Sequence, residues 1–437
     1  MTYFKILILI LITLSCDTKN IKSLQPPSWL KTLTIYEIMP KNFTPTRNFK
    51  GAKEELSKLK ALFITSIALT SITPNDVINS SYNPNDPYAS LSFSDIDTAL
   101  GTSNDFKNLV DEAHKNKLKI LLEFDLSYTG LNHPWRKMKP EYYLSDSTKL
   151  GKLYNPLYLQ LNYDNKKLRR EVIKILRSWK SKFQIDGIIL LNTNSLPPDF
   201  CEEISNEIKS NEFLLASASD CQDQVNKNIF DCYFNEKLFN ALKKISTNEA
   251  KSSDFKQILE DNSKLNFKGT VINYVRNARI NEKEVSENIM FPYYFKLPIV
   301  ISILMDGIPL LLNGQEEPMF DKIDVIKPTF VTRKYQYNLD LYRGLFIHRR
   351  ENAALFSLEN NLPELISDAQ DVLAFERKIG SASIVLMANL TDKEVSFKIN
   401  RSYNLYTEFF TRALVSFNAD QEYKLGPHQF LVLTNKK

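Results

Sequence analysis

Ile185-Asp186-Gly187-Ile188-Ile189-Leu190-Leu191 is apolar at every position but two, and it follows a helix-like amphipathic stretch over 166–182. A short apolar run entered from such a stretch reads as a buried strand. The same texture recurs at 33–39, 64–69, 119–124, 213–218, 229–234, 270–274 and 308–312. Eight buried strands alternating with helices predict an α/β chain built as a closed (β/α)8 TIM barrel, over residues 28–350. The excursion after the third strand is short, roughly 132–161. Beyond Arg349-Arg350 the pattern changes to alternating runs at 372–377, 383–388 and 430–433, which predict a C-terminal antiparallel β-sandwich over 351–437.

Composition fits a folded body and excludes some functions. The 437 residues are 43% hydrophobic and 24% charged, enough for a large core. The net charge of +5 is scattered over single lysines with no dense basic run, so no nucleic-acid partner is expected. Cys201, Cys221 and Cys232 lack CxxC spacing and nearby histidines, so no metal site and no cofactor are expected. They read as structural thiols, with a Cys221–Cys232 disulfide as the alternative in an oxidising compartment.

The N-terminus carries an address. Lys5 precedes the apolar run 6–12 and then Thr13-Leu14-Ser15-Cys16, the charged start, hydrophobic region and small residue of an export signal. The run is far shorter than the roughly 20 residues of a membrane span. Residues 1–16 therefore read as a lipoprotein signal with Cys16 as the lipid attachment, and 17–27 as a tether. The expected location is the bacterial cell envelope, with the membrane contacted through lipidated Cys16.

A series of motifs in order carries a resemblance. Trp29-Leu30-Lys31, Ile35-Tyr36-Glu37-Ile38, Phe43-Thr44-Pro45 and Phe49-Lys50-Gly51 are followed by Asp86-Pro87-Tyr88-Ala89, Gly101-Thr102-Ser103-Asn104-Asp105-Phe106 and Asp125-Leu126-Ser127-Tyr128. Asn132-His133-Pro134-Trp135, Leu161-Asn162-Tyr163 and Ile308 to Glu316 continue the order. The chain resembles the alpha-amylase family (glycoside hydrolase family 13) over roughly 28–437. The resemblance implies carbohydrate chemistry at the C-terminal ends of the barrel strands. An Asn-His pair that the family places after Tyr128 is missing, and with it the asparagine of a calcium site.

The family's catalytic positions are replaced. Asp186 to Leu191 resembles DGFRLD, with Ile189 for the arginine and Leu191 for the nucleophile. Phe213 to Ser217 resembles FLxGE with Ser217 for the general acid. Val271 to Arg279 resembles FLxNHDxxR with Val275 and Arg276 for the His-Asp pair. A retaining glycosidase needs two carboxylates about 5 Å apart, and leucine and serine supply neither. Leu191 and Ser217 read as packing residues. Arg276 reads as an internal salt bridge, with Asp125 as first partner and Glu37 or Glu316 next, filling the former sugar subsite; contact with an anionic ligand is the alternative.

Tyr88, Asp125, His133, Trp135, Glu37, Gln315 and Glu316 remain as cleft candidates, since aromatic faces and polar edges suit a sugar. Three functions follow. One is a catalytically inactive envelope lipoprotein binding a glycan or a protein partner, as the amylase-like heavy chain of amino-acid transporters uses the fold without hydrolysis. Another is an active hydrolase or transferase on alpha-glucosides using relocated carboxylates such as Asp125, Asp220, Glu316 or Glu317. The last is a structural lipoprotein.

Overall fold

The computed structural model describes residues 24–76, 88–144, 158–265, 268–283, 286–317, 323 and 338–435. The signal with Cys16, the first part of the tether, and Asp86-Pro87 lie outside these residues. Leu24 is already held against the body, its carbonyl accepting from Asn228 Nδ2 at 2.8 Å. Among the described residues no helix is long and apolar enough to cross a membrane.

Eight strands close the barrel: β1 (Ile35–Ile38), β2 (Ser66–Leu69), β3 (Lys119–Asp125), β4 (Gly187–Leu191), β5 (Leu214–Ser217), β6 (Cys232–Phe234), β7 (Thr270–Tyr274) and β8 (Ile308–Leu312). Their order around the ring is β1-β8-β7-β6-β5-β4-β3-β2. All neighbours are parallel. Side chains alternate across a strand. Ile35, Ala68, Leu121, Ile189, Leu191, Leu214, Ala216, Ile272 and Leu310 accordingly form the inner cluster. Leu122, Ile188, Leu190 and Leu215 join the core under the helices.

The helix after β3, α1 (Lys166–Phe183), illustrates why the ring is covered. Asn165 caps it by accepting from the Lys167 and Leu168 amides, and Gln184 ends it in the left-handed region at φ 58. Leu168, Val172, Ile175, Leu176, Trp179 and Phe183 fall on one stripe and are buried. Each such side chain contributes about 1.5–3 kcal/mol relative to exposure. Trp179 also donates from Nε1 to the Phe93 carbonyl at 2.8 Å, tying α1 to the loop after β2.

The C-terminal part is antiparallel. Strands β9 (Glu364–Leu365), β10 (Val372–Ile379), β11 (Ala382–Asn389), β12 (Val395–Lys398), β13 (Tyr403–Glu408), β14 (Leu414–Phe417), β15 (Glu422–Leu425) and β16 (Phe430–Thr434) follow. They make a six-stranded sheet in the order β9-β10-β11-β16-β13-β14 and a two-stranded β12-β15 sheet. Val372, Ala374, Val385, Met387, Phe397 and Leu425 pack between the two. The opposite face of the larger sheet, with Leu373, Phe375, Ile384 and Leu386, joins the core of the barrel's helices. Arg377 reinforces that junction with a fully buried guanidinium. It donates to the Asn361, Leu304, Met305 and Phe356 carbonyls at 3.0–3.2 Å.

Candidate functional site

The C-terminal ends of the strands are where a barrel of this kind places chemistry. Glu37 on β1 and Glu123 and Asp125 on β3 share the inward parity of Ile35 and Leu121. In the β3–β4 register Glu123 pairs with Ile189 and Asp125 with Leu191. Each β3 carboxylate therefore stands beside an aliphatic side chain from β4. Ile189 is fully buried and Leu191 is 2% exposed.

Glu37 and Glu123 are buried together in the ring, 1% and 5% exposed. Burial raises the Glu37 carboxyl well above the usual range, and the charge of Glu123 raises it further. Burial raises Glu123 as well. Hydrogen bonds with the Glu37 and Thr70 side chains act against that rise. Like charges this close cannot both ionise in a dry interior, so the pair holds a proton between its members. Glu37 Oε2 also accepts from the Ala278 amide at 2.8 Å. The Arg279 guanidinium counters both charges, anchored on Asn192 Oδ1 and on the Ala218 carbonyl.

Asp125 is held by local donors. Ser127 donates to it from its amide at 3.0 Å and from its hydroxyl at 2.5 Å, and Asn192 donates from Nδ2. Thr70, Ser71, Thr73, Tyr88, Ser90 and Phe93 close over Glu123 and Asp125, leaving a cavity of about 20 Å³. That space holds about one water, whereas a small-molecule site runs to roughly 300 Å³ or more.

Ser217 is fully buried and bonded to Thr193 Oγ1 at 2.7 Å and to the Ser219 carbonyl at 2.9 Å. Val275 is buried in the core under the helices. Arg276 corrects the sequence reading. It is 2% exposed and internally paired, but its partner is Glu287, at 3.1 Å, with Asn281 as the second acceptor. Asp125 is satisfied by Ser127 and Asn192, Glu37 by Glu123 and Ala278, and Glu316 by the Tyr36 hydroxyl at 2.8 Å and the Gly314 amide at 3.1 Å. The guanidinium takes instead an acid eleven residues along the chain, and does not enter the subsite. Burial raises the Glu287 carboxyl even with that guanidinium beside it.

Of the seven cleft candidates, Tyr88 and Asp125 share the small cavity and Glu37 lies in the ring with Glu123. Gln315, accepting from the Leu312 amide at 3.2 Å, and Glu316 are buried in the turn after β8. His133 and Trp135 lie on the outer side, beside Phe93 and α1. The remaining relocated-carboxylate candidates are apart as well: Asp220 faces Lys237 at 3.6 Å after β5, and Glu317 is buried after β8. Glu123, Asn192, Arg279 and Glu287 were not singled out from the sequence. Glu123 could have been found from its spacing of two from Asp125 on one strand. The three cysteines are free and buried, without a Cys221–Cys232 disulfide. Burial pushes Cys201 and Cys221 up to about 12. Among the described residues no group of three or more His, Cys, Asp or Glu could hold a metal ion.

A parallel eight-stranded barrel with a C-terminal antiparallel domain, bearing these strand-end motifs, is the architecture of glycoside-hydrolase-like proteins of the amylase class. The family described as "Alpha amylase, catalytic domain" matches residues 37–151. Alpha-amylase 3 of Dictyoglomus thermophilum is 30% identical over 190 residues, 37% of this chain and 36% of that protein. Amino acid transporter heavy chain SLC3A1 of Mus musculus is 30% identical over 139 residues, 31% of this chain and 18% of that protein. The noncanonic maltogenic alpha-amylase AmyB from Thermotoga neapolitana has the same fold, with a TM-score of 0.80 at 20% identity over 93% of this chain and 99% of that one. The matched sequence spans little more than a third of the first curated relatives' length. The N-terminal part of the barrel thus matches the alpha-amylase catalytic-domain family, and the whole chain has the fold of the alpha-amylases.

Proposed function

We propose that this chain is a non-hydrolytic alpha-amylase-family protein, anchored in the bacterial envelope through lipid on Cys16, that acts by binding a glycan or a protein partner. The observation that carries the reading is the state of the strand ends. Leu191, Ser217 and Arg276, at the three positions where the resemblance would place carboxylates, are each buried and engaged with their own neighbours. The acids that remain nearby are sealed in the ring or held by local donors. A glycosyl intermediate needs an accessible nucleophile, and its formation a proton donor at the leaving oxygen. The similarity to a protein named as a transporter heavy chain supports a binding role.

The test is hydrolysis of maltooligosaccharides by the full-length chain in a sugar-free detergent. Loss of cooperating catalytic groups costs about 10⁶-fold in other hydrolases, so no product above the uncatalysed background is expected. Turnover abolished by substituting one of Asp125, Asp220, Glu316 or Glu317 would overturn the reading in favour of relocated carboxylates. For the anchor, a fatty-acid label is expected on the wild type and not on Cys16→Ala. Label retained by Cys16→Ala would count against lipidation.

A further inference from the structure

The chain enters the folded body at the base of the barrel, the end where the strands begin. The Leu24 carbonyl is held by Asn228, in the connection leading into β6. Asn228 is fixed in turn by Lys209, whose buried ammonium donates to its side-chain and backbone oxygens at 2.8 and 3.0 Å and pairs with Asp231 at 2.8 Å. From there the chain crosses under the ring. Leu30 and Leu33 join the inner cluster alongside Leu214 and Ile308, the first residues of β5 and β8. The Lys31 carbonyl accepts from the Ser357 amide at 2.9 Å, and the Ser357 hydroxyl bonds the carbonyl of Gly307 just before β8. Residues before Leu24 therefore leave from the base, opposite the strand ends that carry Asp125 and Leu191.

Cations collect on the same face. In a β/α barrel the helices run back towards the base, and a helix C-terminus favours positive charge. Lys60 and Lys182 stand in such last turns. Lys117, Lys227 and Lys268 lie in the connections leading into β3, β6 and β7. All five are exposed, and none has a carboxylate partner among the described residues. The acids of these connections are mostly turned inward: Asp186 bonds His114 and Lys119, Asp231 pairs with Lys209, and Asp306 lies 3.5 Å from the Arg377 guanidinium. Glu359 and Glu351 are matched by Lys31 and Arg350. Glu212, before β5, is the exposed acid that remains in the connections, so positive charge exceeds negative across the base.

Reach decides what this face meets. Residues 17–23 separate Cys16 from Leu24, and full extension at about 3.6 Å per residue spans no more than about 29 Å. A body of about 400 residues has a radius of gyration of about 22 Å and a diameter of about 55 Å. A lipid on Cys16 therefore keeps the base beside the bilayer, and the tether is too short to bring the barrel mouth round to it. The tether itself adds Lys19 and Lys22 against Asp17.

We propose that the base of the barrel is a docking face for an anionic phospholipid surface, with Lys60, Lys117, Lys182, Lys227 and Lys268 over the headgroups and the barrel mouth turned away from the bilayer. The proposal rests on the lipid anchor at Cys16 for its setting. Each lysine held at such a surface contributes roughly fivefold to binding. That attraction fades beyond about 8 Å at physiological salt, which is why the short tether matters.

The test places the full-length chain on vesicles of phosphatidylcholine alone or with about one third phosphatidylglycerol. Flotation reports attachment, and lysine acetylation read by mass spectrometry reports orientation. Flotation with both vesicles is expected. On the anionic vesicles the five lysines should react at least about fivefold more slowly than on phosphatidylcholine. Lys166, at the start of α1 on the mouth side, and Lys424, in the C-terminal domain, should react at the same rate on both. Salt of about 0.5 M should remove the difference by screening. Replacing Lys117, Lys182, Lys227 and Lys268 together with glutamine, at exposed positions where folding is not at stake, should return Lys60 to its phosphatidylcholine rate. Equal rates on the two vesicles, or slowing of Lys166 instead, overturns the proposal while flotation keeps the anchor. Flotation on the anionic vesicles alone removes the anchor and supports the docking face. No flotation with either overturns both.

Discussion

Replacing Arg276 with methionine is expected to lower the unfolding free energy by about 3–5 kcal/mol at pH 8, the cost of stripping one partner from a buried ion pair. Arg276 and Glu287 have side chains only 3% and 2% exposed, 3.1 Å apart. The guanidinium also bonds Asn281, which in turn exchanges hydrogen bonds with the Ile323 backbone. Without the arginine, only a backbone hydrogen bond opposes the effect of burial on Glu287, and its carboxyl rises further. A carboxyl whose folded value lies above its unfolded one binds more protons when folded, so stability falls as pH rises through that interval. The defect should therefore be smaller near pH 5 than at pH 8. Arg276→Met combined with Glu287→Leu should recover most of the loss, since an apolar pair of similar volume leaves no charge uncompensated. Urea unfolding of the wild type and both variants at the two pH values measures this. A loss under about 1 kcal/mol at pH 8, in the range of an exposed pair, would show that the pair does not hold this loop.

Glu37→Gln is expected to stabilise the protein at alkaline pH. Glu37 sits well above the ordinary value of 4.5, first because of burial and then because Glu123 is beside it. Folding therefore takes up a proton, and wild-type stability falls as pH rises from about 4.5 towards the folded value, by up to about 1.4 kcal/mol per pH unit. A glutamine amide donates to Glu123 without needing that proton, and its oxygen still accepts from Ala278. The variant should match the wild type near pH 4 and exceed it at pH 8. Glu287, Asp231 and Asp306 are also raised by burial, so the wild type has other pH-sensitive contributions. The readout is the difference between the two proteins across pH, and equal slopes would refute the shared proton. The same pair also bears on function, because an acid sealed in the ring cannot reach a glycosidic oxygen.

The barrel was legible because its signal is local. Eight apolar runs, each short and each followed by helical spacing, need only their own residues to declare a buried strand, and parallel closure follows from their number and order. The side-chain chemistry of Leu191 and Ser217 was legible for a similar reason: neither carries a carboxylate, wherever it points. The C-terminal strands announced themselves by alternation. Partnership was a different matter. Glu37 and Glu123 lie on strands separated by β2 and meet only when the ring closes. Arg276 was expected to lean across the mouth to Asp125, yet Glu287 is near in sequence and the turn after β7 brings it within reach, while Ser127 and Asn192 had already satisfied Asp125. His133 and Trp135 follow β3 by only a few residues and still face α1 instead of the barrel mouth. Periodicity fixes which side of a strand or helix a residue occupies, but the side chains of irregular segments are aimed by whichever partner the folded chain brings close. The sequence by itself therefore determined the scaffold and the side-chain types at its strand ends. Tertiary structure alone decided which charges pair and which acids are sealed away.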